Sequence, residues 1–118
     1  MSAETELRAL LLAAPAVTAL IGNRIASDRI AQGTARPFVM FTRTATTPYV
    51  TIDGQVLASQ AQLDIQCWAD SRAQADAVGE AVTAAIRAST TQTVTGQSAA
   101  YDGELDLEAT LLTVEWWT

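Results

Sequence analysis

The sequence contains no histidine and no lysine, and these two absences remove several classes of enzyme. Without histidine there is no Ser-His-Asp or Cys-His pair, no imidazole general base and no usual zinc site. Without lysine there is no Schiff base and no P-loop lysine. The six glycines are scattered, so they form no phosphate-binding loop. We therefore expect a protein that is not an enzyme and that needs no cofactor and no metal ion.

Cysteine, basic residues and long apolar runs are also scarce. The single cysteine, Cys67, cannot form an internal disulfide, which fits a reducing compartment. The longest apolar run, residues 9–17, is short and is interrupted by Pro15, so we predict neither a signal peptide nor a membrane span. Thirteen acidic residues against seven arginines give a net charge of -6, which argues against sequence-specific nucleic acid as a partner.

What is present fits a folded domain. Of the 118 residues, 49% are hydrophobic and 17% are charged, which is enough apolar surface for a modest core and too much for a disordered chain. The length is that of one ordinary domain. We therefore expect a single domain over residues 1–118.

The N-terminal part of the chain predicts two short helices. Ser2 can cap a first helix whose apolar residues repeat at helical spacing and which Pro15 ends; these residues are Leu7, Leu10, Leu11 and Ala14. A second short helical segment, residues 16–21, stops at Gly22. The stretch that follows is irregular or weakly extended.

The middle of the chain predicts strands and then a long helix. The runs 38–42 and 49–52 favour strands, and Asp53-Gly54 favours a hairpin turn. Apolar residues then alternate from position 61 to Cys67, as in a half-buried strand. Asp70 or Ser71 can cap an amphipathic helix that reaches about residue 88, and Gly79 beside its apolar stripe would permit close approach to a strand.

Two final strands, residues 91–100 and 104–117, complete the order ααβββαββ. This order indicates an α+β fold. We expect an antiparallel or mixed sheet of about four to five strands, with an N-terminal helix and one long amphipathic helix packed on one face.

Four carboxylates share one parity of the last predicted strand, and we expect them to lie on one face: Asp102, Glu104, Asp106 and Glu108. This row has two interpretations, a cation-binding or glycoside-hydrolysing site and a solvated or partner-facing strand. The spacing is not that of a calcium-binding loop, and carboxylates side by side do not flank a substrate. The second interpretation is therefore the one we favour.

The end of the same strand reverses its pattern, because the polar parity turns apolar at Leu112, Val114 and Trp116. Either a bulge reverses the strand or its end leaves the core of the subunit. Trp116 and Trp117 point to opposite faces of the strand. One of them therefore lies in the core, and the other lies either at the rim of the subunit or in a contact with another subunit.

Four of the seven arginines cluster between residues 24 and 43: Arg24, Arg29, Arg36 and Arg43. The cluster is either a solvated loop, a weak nucleic-acid patch that the net charge opposes, or a surface that meets the acidic strand of a neighbouring copy and closes a ring. The candidate interface residues are therefore these arginines, the four carboxylates and the two tryptophans. Cys67 lies on the apolar parity of its strand without a neighbouring base, and we assign it to the core.

Several segments resemble the tail completion proteins of long-tailed bacteriophages, also called tail terminator or head-to-tail joining proteins. They are residues 7–11, 20–25 and 36–39 and, most specifically, the strand 62–69 that ends at Trp68-Ala69 and enters an alanine-rich helix at Ser71-Arg72. The resemblance runs from Leu7 to Ile86 and more loosely to the end, and none of its motifs is catalytic.

The resemblance implies a structural subunit of the virion, made in the cytoplasm of a bacterial host, in phages, prophages or gene transfer agents. It implies a homo-oligomer, a hexameric ring on the head-proximal end of the tail tube, which ends tube polymerisation and joins the tail to the head. The partners it implies are the tail tube protein and a head or neck connector. Two alternatives remain open: another neck or tail-tube connector subunit, and a small carboxylate-lined module that binds a ligand or calcium.

Overall fold

The computed structural model describes residues 3–27, 36–50, 52–88, 92–103 and 106–117, and only the backbone of residues 56–58. Its helices are α1 (Ala3–Ala13), α2 (Pro15–Ile21) and α3 (Arg72–Arg87). Its strands are β1 (Ile25–Ser27), β2 (Phe38–Val50), β3 (Val56–Ala69), β4 (Thr93–Asp102) and β5 (Leu107–Trp117). The α+β class predicted from the sequence is confirmed. The order ααβββαββ is also found, although its first three strands are not the three that the sequence predicts.

The five strands form one mixed sheet in the order β1-β2-β3-β5-β4. Strand β1 pairs with β2 in parallel, and the other three pairings are antiparallel. One predicted division between strands was wrong, because the runs 38–42 and 49–52 belong to one long strand, β2, up to Val50. The stretch predicted as irregular or weakly extended contains the short strand β1.

Helices α1 and α2 agree with the two predicted N-terminal helices, although Pro15, which was predicted to end the first, is the first residue of the second. Leu7 and Leu11 of α1 are fully buried, and Pro15 occupies the first turn of α2, where its missing N–H costs nothing. Gly22 ends α2 with a positive φ of 60°, a backbone conformation that residues other than glycine rarely adopt. The capping interaction predicted for Ser2 lies outside the described residues.

Helix α3 packs on one face of the sheet, as predicted. The Ser71 hydroxyl accepts a hydrogen bond from the Gln74 N–H at 3.2 Å and caps the helix. The buried stripe of α3 faces the alternating apolar residues of β3 across a core that α1 and α2 complete. The predicted alternation is confirmed in full, since Ala61, Leu63, Ile65 and Cys67 are all buried.

Both explanations offered for the reversed pattern of the last strand were wrong. Its register with β3 is continuous from Glu108 to Trp117, so no bulge reverses it. Thr110, Leu112, Val114 and Trp116 all pair with buried residues of β3 and are themselves buried, so the end of the strand stays in the core. The apparent reversal arises because Leu107 and Ala109 are buried on the other face of the sheet.

The molecule is elongated, with principal extents of 52 × 29 × 23 Å and a radius of gyration of 15.0 Å. A compact chain of this length has a radius of gyration of about 13 to 14 Å. The excess is explained by the hairpin of β2 and β3, whose β2 side is exposed from Arg43 to Val50. We call residues 43–62, from Arg43 to Gln62, the arm.

Candidate functional site

The end of the arm groups three large exposed apolar side chains of the described residues. Ile52 is 108% exposed, Val50 is 56% exposed and Tyr49 is 45% exposed. Gly54 turns the chain at the tip with φ 89° and has open space around it. The Asp53-Gly54 turn was predicted, whereas the apolar tip was not, although the residues that form it stand beside the predicted turn. A solvated loop does not need three such side chains, so the tip is a candidate contact surface.

The arginines of the predicted cluster are already bonded within the chain. Arg36 pairs with Asp70 at 2.7 Å, and Arg43 pairs with Glu4 on α1 at 2.5 Å. Arg24 donates from Nε to the carbonyl of Pro37 at 2.9 Å and so holds the entry to β2. Arg29 lies outside the described residues.

These bonds do not remove the arginines from the surface. The Arg36 side chain is 41% exposed and the Arg43 side chain is 34% exposed. Exposed ion pairs contribute about 0–1 kcal/mol, so a partner can rearrange them at small cost. Their role in an interface therefore remains a prediction.

The row of four carboxylates does not form one strand face. Asp102 ends β4, Asp106 lies in the turn before β5 with a positive φ of 54°, and Glu104 lies outside the described residues. Asp102 pairs with Leu107, whereas Glu108 is the next residue along β5, so Asp102 and Glu108 belong to opposite faces of the sheet.

Each described member of that row makes a separate local contact. The Tyr101 hydroxyl donates to Asp106 at 2.9 Å, and this hydrogen bond, with the nearby negative charge, raises the pKa of Tyr101. Glu108 pairs with Arg72 at 3.4 Å. Among the described residues, no group of three histidine, cysteine, aspartate or glutamate side chains is arranged to hold a metal ion.

The two C-terminal tryptophans lie on opposite faces of the sheet, as predicted. Trp116 is 2% exposed and donates from Nε1 to Glu6 of α1 at 2.8 Å. Trp117 lies on the face of the sheet that the helices leave uncovered, where its ring stands 5.1 Å from that of Tyr49. Trp116 therefore connects the sheet to α1, and Trp117 connects β5 to Tyr49 of the arm.

Sequence reasoning missed a polar network at the start of α3. Arg72 donates from Nη2 to the carbonyl of Ala109 at 2.5 Å and to the hydroxyl of Thr110 at 2.9 Å. Thr110 in turn donates to Asp76 at 3.0 Å, and Asp76 pairs with Arg72 at 3.3 Å. The only available signal was the spacing of Arg72 and Asp76, which is typical of a helical ion pair. The network joins α3 to β5 and has a structural role.

Cys67 lies in the core, as predicted. It is buried, and burial raises the pKa of its thiol to about 12. A thiol with such a pKa stays protonated near neutral pH and is a poor nucleophile. None of the described helices is both long and apolar enough to serve as a membrane span.

The comparisons with known proteins agree with the sequence resemblance. The family described as Tail completion protein gp17 matches residues 5–118. No curated protein matches the chain. A chain from a solved structure described as the virion of a native gene transfer agent particle matches 92% of this chain and 88% of its own length, with a TM-score of 0.75 at 18% identity. That likeness establishes a shared fold, and the family match, which covers nearly the whole sequence, establishes that the chain belongs to the tail completion protein gp17 family of phage tail structural proteins.

Proposed function

We propose that the protein is a subunit of the virion that caps the head-proximal end of the tail tube as a hexameric ring, ends tube polymerisation and joins the tail to the head. The observation that carries this proposal is the family match over residues 5–118. The fold shared with a chain of a gene transfer agent virion supports it, because that particle is built from assembled subunits. The tube protein on one side and a head or neck connector on the other are the partners the proposal requires.

The shape of the subunit supports a role in assembly. The arm extends the molecule to 52 Å, and its tip exposes Tyr49, Val50 and Ile52. Exposed apolar side chains that are grouped in this way mark interaction surfaces in soluble proteins. The arm is therefore the surface we assign to contacts in the assembled tail.

The protein acts in this proposal without catalytic turnover. The sequence has no histidine and no lysine, and the thiol of Cys67 is buried with a raised pKa. Five described acidic residues form local contacts with Arg36, Arg43, Arg72, Tyr101 and Trp116: Asp70, Glu4, Glu108, Asp106 and Glu6, respectively. These contacts stabilise the fold, and none of them positions a nucleophile beside a general base.

Disruption of the gene in its source phage or prophage tests the proposal. The expected particles are DNA-filled heads separated from tails of abnormal length, seen by electron microscopy. Separated tails of normal length would support joining without length control and would contradict the terminator role. Joined, infectious particles would overturn both parts of the proposal. Complementation with the intact gene, which restores joined particles, is the matched control.

A further inference from the structure

The two outer edges of the sheet differ in how well they are protected from pairing with a strand of another molecule. At the β1 edge, Arg8 donates from Nη1 to the carbonyl of Ile25 at 2.6 Å, and the N–H of Ile25 donates to the carbonyl of Asn23 at 2.8 Å. At the opposite edge, β4 is exposed along most of its length, and no described strand pairs with its outer side. Residues 93–101 of β4 include no charge and no proline, two of the features that protect an edge from pairing. A third such feature, an irregular register, is confined to Val94–Gly96 near the start of β4.

A second free edge lies on the other side of the same sheet. Strand β1 pairs only with Val39–Phe41, so the part of β2 from Thr42 to Val50 has no described strand on its outer side. Its one charged residue, Arg43, is bonded to Glu4 of the same chain. Pro48 lacks an N–H and leaves one position of this edge without a donor.

The directions of the strands make these two edges compatible. Strand β2 is antiparallel to β3, β3 to β5 and β5 to β4, so β2 and β4 run in opposite directions. A second copy placed beside the first in the same orientation therefore brings its β4 antiparallel to the free part of β2. We propose that β4 of one copy pairs with residues 42–50 of β2 in the next copy, so that the sheets are continuous around the ring. This inference rests on the ring of the proposed function.

The lengths of the two edges agree. Strand β4 has 10 residues, and the free part of β2 runs from Thr42 to Val50. When Ser98, near the middle of β4, is set opposite Thr47, the Asp102 end of β4 reaches the level of Thr42. The next residue of β2, Phe41, is already paired with Ser27, the last residue of β1. Strand β4 of the neighbour thus fills the space that β1 leaves beside β2.

The distribution of charge along the two edges also permits this pairing. Each copy carries a net charge of -6, so copies repel each other except where their contact surfaces are uncharged or opposite in sign. Most of this contact is uncharged. The charged residues of the two edges are Asp102, which comes level with Thr42 on the uncovered face, and Arg43, which lies on the face that α1 covers, so no like charges face each other across the joint.

In this pairing each copy is displaced along the strand direction relative to its neighbour, and the displacement has the size that a closed ring of strands requires. Ser98 is level with Leu111 and Gln66, whereas Thr47 is level with Gln60. The six positions along β3 that separate Gln66 from Gln60 correspond to about 20 Å along the strand. The repeat β2-β3-β5-β4 spans four strand spacings, about 19 Å. The strands would then tilt by about 45°, at the upper end of the 35–45° range of closed barrels.

Cysteine crosslinking of assembled particles tests the pairing. Thr47 and Ser98 lie on the same uncovered face of the sheet, so Thr47→Cys and Ser98→Cys in one chain would face each other across the joint. The native Cys67 is buried and unreactive, so it remains in place. With a short bismaleimide, we expect the double variant to give a ladder of covalent oligomers up to the full ring. Each single variant should stay monomeric on a denaturing gel.

The control and the contrary outcomes separate this inference from the proposed function. Thr47→Cys combined with Ala84→Cys, an exposed residue of α3, should give no ladder. Rings visible by electron microscopy without a Thr47–Ser98 ladder would overturn the edge pairing and leave the proposed function intact. Covalent dimers from Ser98→Cys alone would show that β4 pairs with a second β4 and would also overturn it. Joined particles after gene disruption would overturn the proposed function, and crosslinking of the purified protein would then decide the pairing separately.

Discussion

Gly79 of α3 lies directly against Thr110 of β5. A Cβ atom on Gly79 would stand 2.8 Å from Cγ2 of Thr110, closer than such atoms approach in folded proteins. Thr110 cannot easily turn away, because its hydroxyl both donates to Asp76 and accepts from Arg72. Close packing of α3 on the sheet therefore requires a glycine at position 79, although glycine weakens the helix by about 1 kcal/mol relative to alanine.

The variant Gly79→Ala should destabilise the protein despite its better helix propensity. Overpacking in a filled core costs about 1–3 kcal/mol, which exceeds the gain of about 1 kcal/mol from alanine over most of that range. Urea denaturation with matched m-values would measure the difference. Thr110→Ser removes the methyl group and keeps the hydroxyl, so the double variant should recover part of the loss. A Gly79→Ala variant more stable than the parent would show that the helix is free to move away from β5.

Replacement of Glu6 should loosen the contact between α1 and the end of the sheet. Glu6→Ala leaves the buried Nε1–H of Trp116 without its acceptor, and an unsatisfied buried donor costs about 1–3 kcal/mol. Glu6→Gln keeps an oxygen at the same distance and should cost about half as much, because the hydrogen bond loses its charge. The free energy of unfolding from chemical denaturation distinguishes the two. Equal losses in both variants would mean that the packing of the Glu6 stem, and not the hydrogen bond, is responsible.

The sequence was sufficient wherever burial followed a regular period. The alternation that ends at Cys67 and the helix that begins after Ser71 are both found as predicted, because each has one buried face and the helix also has a local capping residue. Gly79 was also interpreted correctly, since a glycine beside an apolar stripe indicates close approach.

The sequence was insufficient where the fold depends on distant pairings. Strand β5 is buried on both faces around Ala109 and Thr110, so its pattern imitates a reversal that the register does not contain. The ion pairs Arg36–Asp70 and Arg43–Glu4 join residues that are 34 and 39 positions apart, which no local spacing reveals. Two of the candidate interface residues, Arg36 and Arg43, are therefore also part of ion pairs within the subunit.

Raising the pH should destabilise the protein through Cys67. Burial raises the pKa of this thiol from 9.0 to about 12, so between these values the unfolded chain loses the proton while the folded chain retains it. The folded state then binds more protons, and stability falls as the pH rises, by up to about 1.4 kcal/mol per pH unit. Denaturation curves at pH 8 and pH 10 should show this fall in the parent and a smaller one in Cys67→Ala. Identical slopes in the two proteins would contradict the effect of burial on the thiol.

Loss of the apolar side chain at the tip of the arm should impair assembly without affecting the fold. Ile52 is 108% exposed, so Ile52→Ser should change the stability of the subunit by no more than about 0.5 kcal/mol. If the side chain is buried against a partner in the assembled tail, its loss removes about 1.5–3 kcal/mol of contact per copy. That corresponds to a roughly ten- to hundredfold weaker contact.

The fraction of joined particles in a complemented deletion strain measures this effect, and thermal denaturation of the purified subunit confirms that the fold is intact. Leu12→Ser is the matched control, because Leu12 is a large apolar side chain that is 39% exposed on α1, an element outside the arm. We expect Ile52→Ser to lower the yield of joined particles and Leu12→Ser to leave it near that of the parent. Equal yields for both variants would show that the tip is not a contact surface, and a loss confined to Leu12→Ser would move the contact to the helices.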